Sequence, residues 1–173
     1  IERKDRLEAI LLTHGHEDHI GAVAHFWRRL GGPPIHARPF TGALTMKKME
    51  EQGHDTEAVQ QAEPWPARGE AGPFTFGFLP VSHSIPESSA VVLDTPAGRI
   101  VHTGDFKLDG SPVVGEPFDP ALWTSVAKPG VQALVCDSTN IHVAHPGRSE
   151  ATVGPKIREL VANAPAMVVA TTF

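Results

Sequence analysis

The chain has 173 residues, of which 40% are hydrophobic and 20% charged, and its formal net charge is −5. This is a globular composition, and it excludes a disordered or fibrous chain and a generally basic surface for nucleic acid, although not a local basic patch or a metal-centred phosphate site. No apolar run reaches the length of about 18 residues that a membrane-spanning helix requires.

The two ends of the sequence and its cysteine content suggest the setting of the protein. The start, IERKDRLEAILLTH, has no signal peptide and no initiator methionine, and the end, PAMVVATTF, stops within an apolar run. We therefore expect a piece of a longer chain. The single cysteine, Cys136, cannot form an intrachain disulfide, which favours a cytoplasmic location. Its apolar neighbours in VQALVC predict a buried, unreactive thiol.

Strands and helices alternate through the first half of the chain. Segments rich in Leu and Ile predict short buried strands, and apolar residues at three- and four-residue steps predict helices. In chain order the predicted elements are a strand at 7–13, a helix at 19–31, a strand at 33–37 and a helix at 41–53. This alternation predicts an α/β layered fold. The polar stretch 54–72, rich in Pro, Gly and Glu, predicts a surface loop.

The second half is richer in strands. Apolar runs bounded by Gly, Pro and Ser predict strands there, and the PAG sequence between two of them predicts a hairpin turn. The predicted elements are strands at 74–82, 89–95, 99–104 and 131–137, one helical turn at 119–126 within a loop at 109–130, a helix at 149–164 and a last strand at 166–172.

The densest group of metal-binding side chains is HGHEDH, which begins at His14. Alternate side chains of an extended chain share a face, so His14, His16 and Asp18 are expected to point the same way. His19 begins the next helix and can turn towards them, whereas Glu17 falls on the opposite face. Imidazole and carboxylate ligands suit zinc and neighbouring transition metals. A solvated histidine-rich turn would explain one or two of these residues, but not this alternation at a strand-to-helix corner.

Further polar residues follow other predicted strands. His83 lies in SHSIPES and Asp105 in VHTGDFKLD, where its carboxylate could bridge two metal ions. Each alone could be an ordinary loop residue, but beside HGHEDH a shared metal site is the better interpretation. His102 is expected to pack within its strand or to support a ligand. Asp137, in CDSTN, is either a turn acid or a carboxylate that orients a histidine near the metal.

These motifs, in this order, resemble a known family. The pattern H-x-H-x-D-H, a histidine after a strand and an aspartate in TGDF resemble the metallo-β-lactamase superfamily. More narrowly, THGHEDHIGA, SHSIPES, VHTGDFKLD, CDSTN and VATTF resemble the ribonuclease J branch of the β-CASP nucleases over essentially the whole chain. The resemblance implies an αββα sandwich, incomplete at both ends. Residues 1–165 would be a partial metallo-β-lactamase domain, and residues 166–173 its last strand, leading into a β-CASP domain.

The resemblance also implies the metal ligands and the activity. Two Zn²⁺ ions, with Mn²⁺ as an alternative, would be held by one set of side chains: His14, His16 and His83 at the first ion, Asp18 and His19 at the second, and Asp105 between them. The implied reaction is hydrolysis of RNA phosphodiesters by a hydroxide that the two ions activate, by 5′-to-3′ exonuclease or endonuclease action, in RNA processing and decay.

The resemblance implies further roles and partners. Asp18 would also help to hold the hydroxide, and Asp137 would match the first acidic β-CASP motif, supporting a proton-donating histidine that this sequence lacks. The full-length protein is expected to act on RNA away from membranes, as a homo-oligomer and with other RNA-decay proteins. Residues 1–173 alone are expected to be weak or inactive, because one metal position would be short of a ligand and part of the RNA channel would be missing.

Two other classes of function share part of the pattern. A small-molecule hydrolase of the same superfamily, either a glyoxalase II-like thioesterase or a lactamase, would share HGHEDH. Zinc lactamases typically carry Cys where Asp105 stands, and the HSIPES and DSTN stretches count against a glyoxalase-like enzyme. An inactive RNA-binding scaffold is the third alternative, and the presence of all six expected ligands counts against it.

Overall fold

The structure, a computed structural model, describes residues 2–144 and 147–171, and its strands form two sheets. The first sheet is parallel, in the order β1-β2-β3, and the second has the order β4-β5-β6-β7-β8. Neighbours in the second sheet are antiparallel except for the parallel pair β7–β8. The strands are β1 (Ile10–Leu12), β2 (Ile35–Ala37), β3 (Val59–Gln61), β4 (Gly69–Ala71), β5 (Phe74–Pro80), β6 (Ser89–Thr95), β7 (Gly98–His102) and β8 (Ala133–Val135).

The described residues also form five α-helices and four short 3-10 helices, which lie between the strands, before β1 and after β8. The α-helices are α1 (Glu17–Ile20), α2 (Val23–Phe26), α3 (Pro39–Glu51), α4 (Pro120–Ala127) and α5 (Val153–Ala162). The 3-10 helices span Lys4–Arg6, Trp27–Leu30, Thr56–Ala58 and Glu150–Thr152. Within residues 2–144 and 147–171, no helix is long and apolar enough to cross a membrane.

The helices cover the outer faces of the two sheets. Ile20, Ala24 and Met49, from α1, α2 and α3, form one buried cluster with side chains of the first sheet. On the other side of the molecule Val126 of α4 packs against the second sheet. The helix begins where the sequence places it, because Asp119 Oδ1 accepts hydrogen bonds from two backbone N–H groups of its first turn.

A third cluster joins the two sheets. Phe76, Phe78 and Val91 of the second sheet are buried against Leu11 of the first, and the alternation along β5 turns Leu79 to the opposite face, towards α4. The layers therefore follow the order helix, sheet, sheet, helix, and this confirms the αββα arrangement.

The structure differs from the sequence prediction in the first half. Three short helices, namely α1, α2 and the 3-10 helix Trp27–Leu30, stand in place of the predicted helix 19–31. The first of them, α1, ends just before Gly21, where an added Cβ would lie 2.5 Å from the Glu17 carbonyl oxygen. The predicted loop 54–72 contains β3 and β4. Both strands are three residues long and only Val59 is buried in them, so they leave no alternating apolar pattern in the sequence.

The end of the chain also differs from the prediction. Residues 166–171 have no regular secondary structure, while Thr172 of the predicted strand and Phe173 lie outside the described residues. A strand is stabilised by pairing and burial, but Met167 and Val169 are exposed and pair with no strand in the described part of the chain. The prediction of a buried Cys136 is wrong for a related reason: β8 is the edge strand, its side chains are exposed, and the thiol that follows it is exposed too.

Candidate metal centre

Loops that follow strands of both sheets meet at one edge of the sandwich. The loop after β1 and the start of α1 carry the HGHEDH motif, and the loops after β5 and β7 carry His83 and Asp105. The Ser89 backbone N–H donates to the Thr13 carbonyl oxygen over 3.0 Å. This hydrogen bond links the start of β6 to the end of β1, and it brings the loops of the two sheets together.

Three histidines form the first group of metal-binding atoms. His14, His16 and His83 each offer one ring nitrogen, and these nitrogens lie within 4.8 Å of one another. His16 Nδ1 lies 3.1 Å from His83 Nε2. Three imidazole nitrogens that converge in this way match the ligand number of a zinc site with an open position.

A second group shares His14 and adds His19 and Asp105, again with ligand atoms within 4.8 Å of one another. Asp105 Oδ1 lies 3.4 Å from His19 Nε2, and Asp105 Oδ2 lies 4.0 Å from His83 Nε2. The two oxygens of one carboxylate therefore face histidines of different groups, which is the orientation that a bridging ligand needs. Asp18 stands beside this group, with Oδ2 3.5 Å from His19 Nε2, and its side chain is 78% exposed.

The buried histidine His14 fits a metal ion better than a proton. Its ring is fully buried, Thr13 Oγ1 lies 3.1 Å from Nδ1, and Nε2 has no hydrogen-bond partner among the residues that the structure describes. Burial, followed by the charges of His19, His83 and His16, lowers the pKa of His14 to about 3. At neutral pH the ring is therefore neutral, and one buried ring nitrogen, Nε2, is left without a partner among the described residues. Leaving a buried polar atom unpaired is costly, and a bound cation would remove this cost.

The pKa of His83 is also lowered, mainly by burial and then by the neighbouring His16. Its Nδ1 atom is likewise buried without a hydrogen-bond partner within the described part of the chain. Glu17, by contrast, points to solvent and pairs with Lys48 at 2.7 Å, in agreement with its exclusion from the predicted ligands.

A glycine turn places Asp105 against the HGHEDH loop. Gly104 has a φ of +60°, and a Cβ at this position would lie 3.0 Å from Thr13 Cβ. The Gly104 N–H donates to His102 Nδ1 over 3.0 Å, so His102, an exposed residue of β7, supports the turn before Asp105. Only glycine combines the left-handed backbone with this close approach.

Replacing Gly104 by alanine is expected to lower the free energy of unfolding by at least about 1–2 kcal/mol, the cost of a left-handed non-glycine residue, and to weaken metal binding. Urea unfolding and metal titration measure the two effects. Gly110→Ala is the matched control, because no atom lies within 4 Å of the added Cβ and its φ is not in the left-handed range. Equal stability and metal affinity in the two variants would contradict this role for Gly104.

Asp137 follows β8 at the same edge. Its backbone N–H donates to Thr103 Oγ1 over 3.0 Å, and its Oδ1 accepts hydrogen bonds from the Thr139 hydroxyl and N–H. These bonds from Thr139 lower the pKa of Asp137, so the carboxylate is ionised at neutral pH. Asp137 is thus an anion near His83 but belongs to neither group of closely spaced ligand atoms.

Sequence reasoning missed one group of residues behind the site. Ser84, Lys107 and Glu150 are hydrogen-bonded to one another beside the loops that carry His83 and Asp105. Lys107 lies in the GDFKLD stretch, but Glu150 is 43 residues away from it, and no local pattern connects the two.

The comparison with protein families agrees with this architecture. A model described as the metallo-beta-lactamase superfamily matches residues 2–161, and the chain belongs to that superfamily. The fold implies that a divalent metal is bound, and the histidine and aspartate side chains described above are able to hold one.

Individual proteins are also similar to this chain. Proteins named Ribonuclease J from Corynebacterium glutamicum and Sinorhizobium meliloti are each 38% identical to this chain, over 97% and 99% of its length. The chain spans 23% and 30% of the lengths of these two relatives. Among solved structures, a protein of unknown function from Enterococcus faecalis V583 matches with a TM-score of 0.61 at 17% identity, covering 91% of this chain and 39% of that one. This last similarity shows the fold alone.

Proposed function

We propose that this chain carries the two-metal centre of a ribonuclease that resembles ribonuclease J. The observation that carries the proposal is the convergence of two ligand groups on His14, with Asp105 facing both of them. In this proposal His14, His16 and His83 hold one Zn²⁺ ion, Asp18 and His19 hold the second, and Asp105 bridges them. Mn²⁺ is the alternative metal, because imidazole and carboxylate ligands accept both ions.

In this proposal different residues of the chain have different roles in hydrolysis. Two divalent ions, when bound by these residues, would supply a water of lowered pKa and would neutralise charge on the phosphoryl oxygens. Neutral His14 and His83 keep lone pairs available for ligation, because burial disfavours their protonation. The Asp18 carboxylate, besides helping to hold the second ion, would accept a hydrogen bond from the attacking water. Asp137 is held as an anion and would orient a proton-donating histidine that residues 1–173 do not supply.

RNA is the preferred substrate class for two reasons. The relatives that match across nearly the whole chain are named Ribonuclease J. In addition, the side chains of Asp18 and Asp105 are 78% and 39% exposed, so this part of the site is open and can receive a polymer. An RNA substrate is consistent with the cytoplasmic location expected from the single cysteine. The homo-oligomeric state and the association with other RNA-decay proteins stay predictions.

A comparison of activity on three substrates tests the proposal. The protein expressed from its complete gene and loaded with Zn²⁺ or Mn²⁺ is expected to shorten a 5′-monophosphorylated RNA and to leave a glutathione thioester and a β-lactam intact. Removal of the metal with a chelator should abolish RNA cleavage, and restoring the metal should recover it. Hydrolysis of the thioester or the β-lactam without RNA cleavage would contradict the proposal and favour a small-molecule hydrolase.

A further inference from the structure

One carboxylate, that of Glu150, connects the two loops that carry His83 and Asp105. The Glu150 side chain is only 15% exposed. Its Oε1 accepts hydrogen bonds from Ser84 Oγ at 2.7 Å and from Lys107 Nζ at 3.0 Å. Its Oε2 accepts a third, at 3.2 Å, from the backbone N–H of Val113.

The partners of this carboxylate are close neighbours of the proposed metal ligands. Ser84 directly follows His83, and Lys107 lies two residues after Asp105. Lys107 Nζ also donates to Ser84 Oγ at 2.9 Å, so the three polar groups form a closed triangle. Any shift of Glu150 would therefore be transmitted to both loops.

A second layer fixes the backbone of Glu150. Its N–H donates to Asp109 Oδ2 over 2.8 Å, and Asp109 is itself buried, with 7% of its surface exposed. The Asp109 N–H donates to Ser82 Oγ, and the Ser82 hydroxyl donates to the Lys107 carbonyl oxygen over 2.7 Å. The Glu150 backbone is thus held in place by Asp109 and Ser82, which lie in the same two loops as Asp105 and His83.

The charges in this cluster have a consequence for a nearby cation. The hydrogen bond from Ser84, and then that from Lys107, lower the pKa of Glu150, so the group is an anion at neutral pH. This anion neutralises the Lys107 ammonium, which lies 3.0 Å from it and follows the proposed metal ligand Asp105 by two residues. Without Glu150, an unpaired ammonium would stand beside the metal centre and repel a bound cation.

We infer that Glu150 is a positioning residue of the metal centre, which holds the His83 and Asp105 loops in register and neutralises Lys107. The inference rests on the metal centre proposed above. Glu150 begins a 3-10 helix that Ser149 caps and that leads into α5. The contacts of Glu150 therefore also join this helical segment to the loops that carry His83 and Asp105. Hydrogen-bonded groups behind metal ligands typically contribute about 10- to 100-fold in metal affinity.

The chain offers a matched control on α5 itself. Glu159 accepts two hydrogen bonds of 3.0 Å from Lys156, but both side chains are more than half exposed and neither contacts a metal loop. Glu159→Ala therefore removes the same kind of charge pair from a site where it is expected to have little effect.

Cobalt titration of the metal-free protein, expressed from its complete gene, tests the inference. The d–d absorption of bound Co²⁺ reports ligand geometry, which a merely structural loss of stability would not change. Glu150→Ala is expected to lower Co²⁺ affinity about tenfold or more and to change the spectrum. Glu150→Gln keeps an oxygen that can accept from Ser84 and Lys107 but loses the charge that neutralises Lys107, and its Co²⁺ affinity is expected to lie between those of the wild type and Glu150→Ala. Glu159→Ala should match the wild type.

The outcomes separate the two proposals. If the wild-type protein does not bind Co²⁺, the metal centre itself is wrong. If the wild type binds, and a folded Glu150→Ala variant binds with the same affinity and spectrum, the metal centre stands and the role of Glu150 is wrong. If Glu150→Ala does not fold, Ser84→Ala replaces it, because this change removes one loop contact and leaves Glu150 in place. Unchanged affinity in Ser84→Ala would then overturn the inference, and a lower Co²⁺ affinity with a changed spectrum would support it.

Discussion

Replacing Asp105 by alanine is expected to lower the cleavage rate of 5′-monophosphorylated RNA by more than about 100-fold, beyond the range for groups that only support a metal ligand. The reason is its position: one carboxylate oxygen lies 3.4 Å from His19 Nε2 and the other 4.0 Å from His83 Nε2. Loss of this carboxylate would remove the ligand shared by the two metal positions. The repulsion between the two cations would then be less well balanced. Single-turnover cleavage with the metal ion in excess measures the effect.

Two further variants make the Asp105 experiment specific. Asp105→Asn keeps the size of the side chain but removes its charge, and it is expected to be nearly as inactive. Asp5→Ala removes an exposed acid from the 3-10 helix that precedes β1. This control is expected to cleave RNA at the wild-type rate. Cleavage by Asp105→Ala within about twofold of the wild type would contradict the bridging role, since this is far below the effect of a lost metal-supporting group.

Replacing Phe78 by alanine is expected to lower the free energy of unfolding by about 3–5 kcal/mol. Phe78 is 1% exposed and lies between the sheets, with its ring centroid 5.9 Å from that of Phe76. The cavity left by the ring would lie between the layers that carry the metal loops. His14 follows a strand of the first sheet and His83 a strand of the second, so metal affinity should also fall.

The matched control is Phe26→Ala, which removes the same ring from a 44% exposed position. A cation–π contact with Arg29, at 5.5 Å, is lost there, and the expected cost is below about 1 kcal/mol. Urea unfolding of the metal-free proteins compares the two variants. Equal losses of stability at the two positions would contradict the assignment of Phe78 to the inter-sheet core.

The sequence was informative where chemistry and periodicity coincide. The HGHEDH motif stands at a strand-to-helix corner, and the structure places β1 before it and α1 within it. His83 and Asp105 also follow strands, and the structure brings them to His14 because both sheets present these ends at one edge. Asp18 lies at the side of the cluster, so its role as a ligand stays a prediction.

The sequence was less informative where a structure depends on distant partners. The strands β3 and β4 are short and polar, so neither carries an alternating pattern. The apolar run at 166–171 was typical of a strand, but strand formation requires a paired neighbour as well as propensity. Glu150 and Ser84 are 66 residues apart in the sequence, and no sequence pattern predicts their contact.

The central claim is that two metal ions lie together at this edge of the sandwich. Anomalous diffraction at the zinc absorption edge, from a crystal of the metal-loaded protein expressed from its complete gene, tests it most directly. Two peaks about 3.5–4 Å apart are predicted, one among His14, His16 and His83 and the other beside His19, with Asp105 between them. A single peak, or no peak at these residues, would contradict the account.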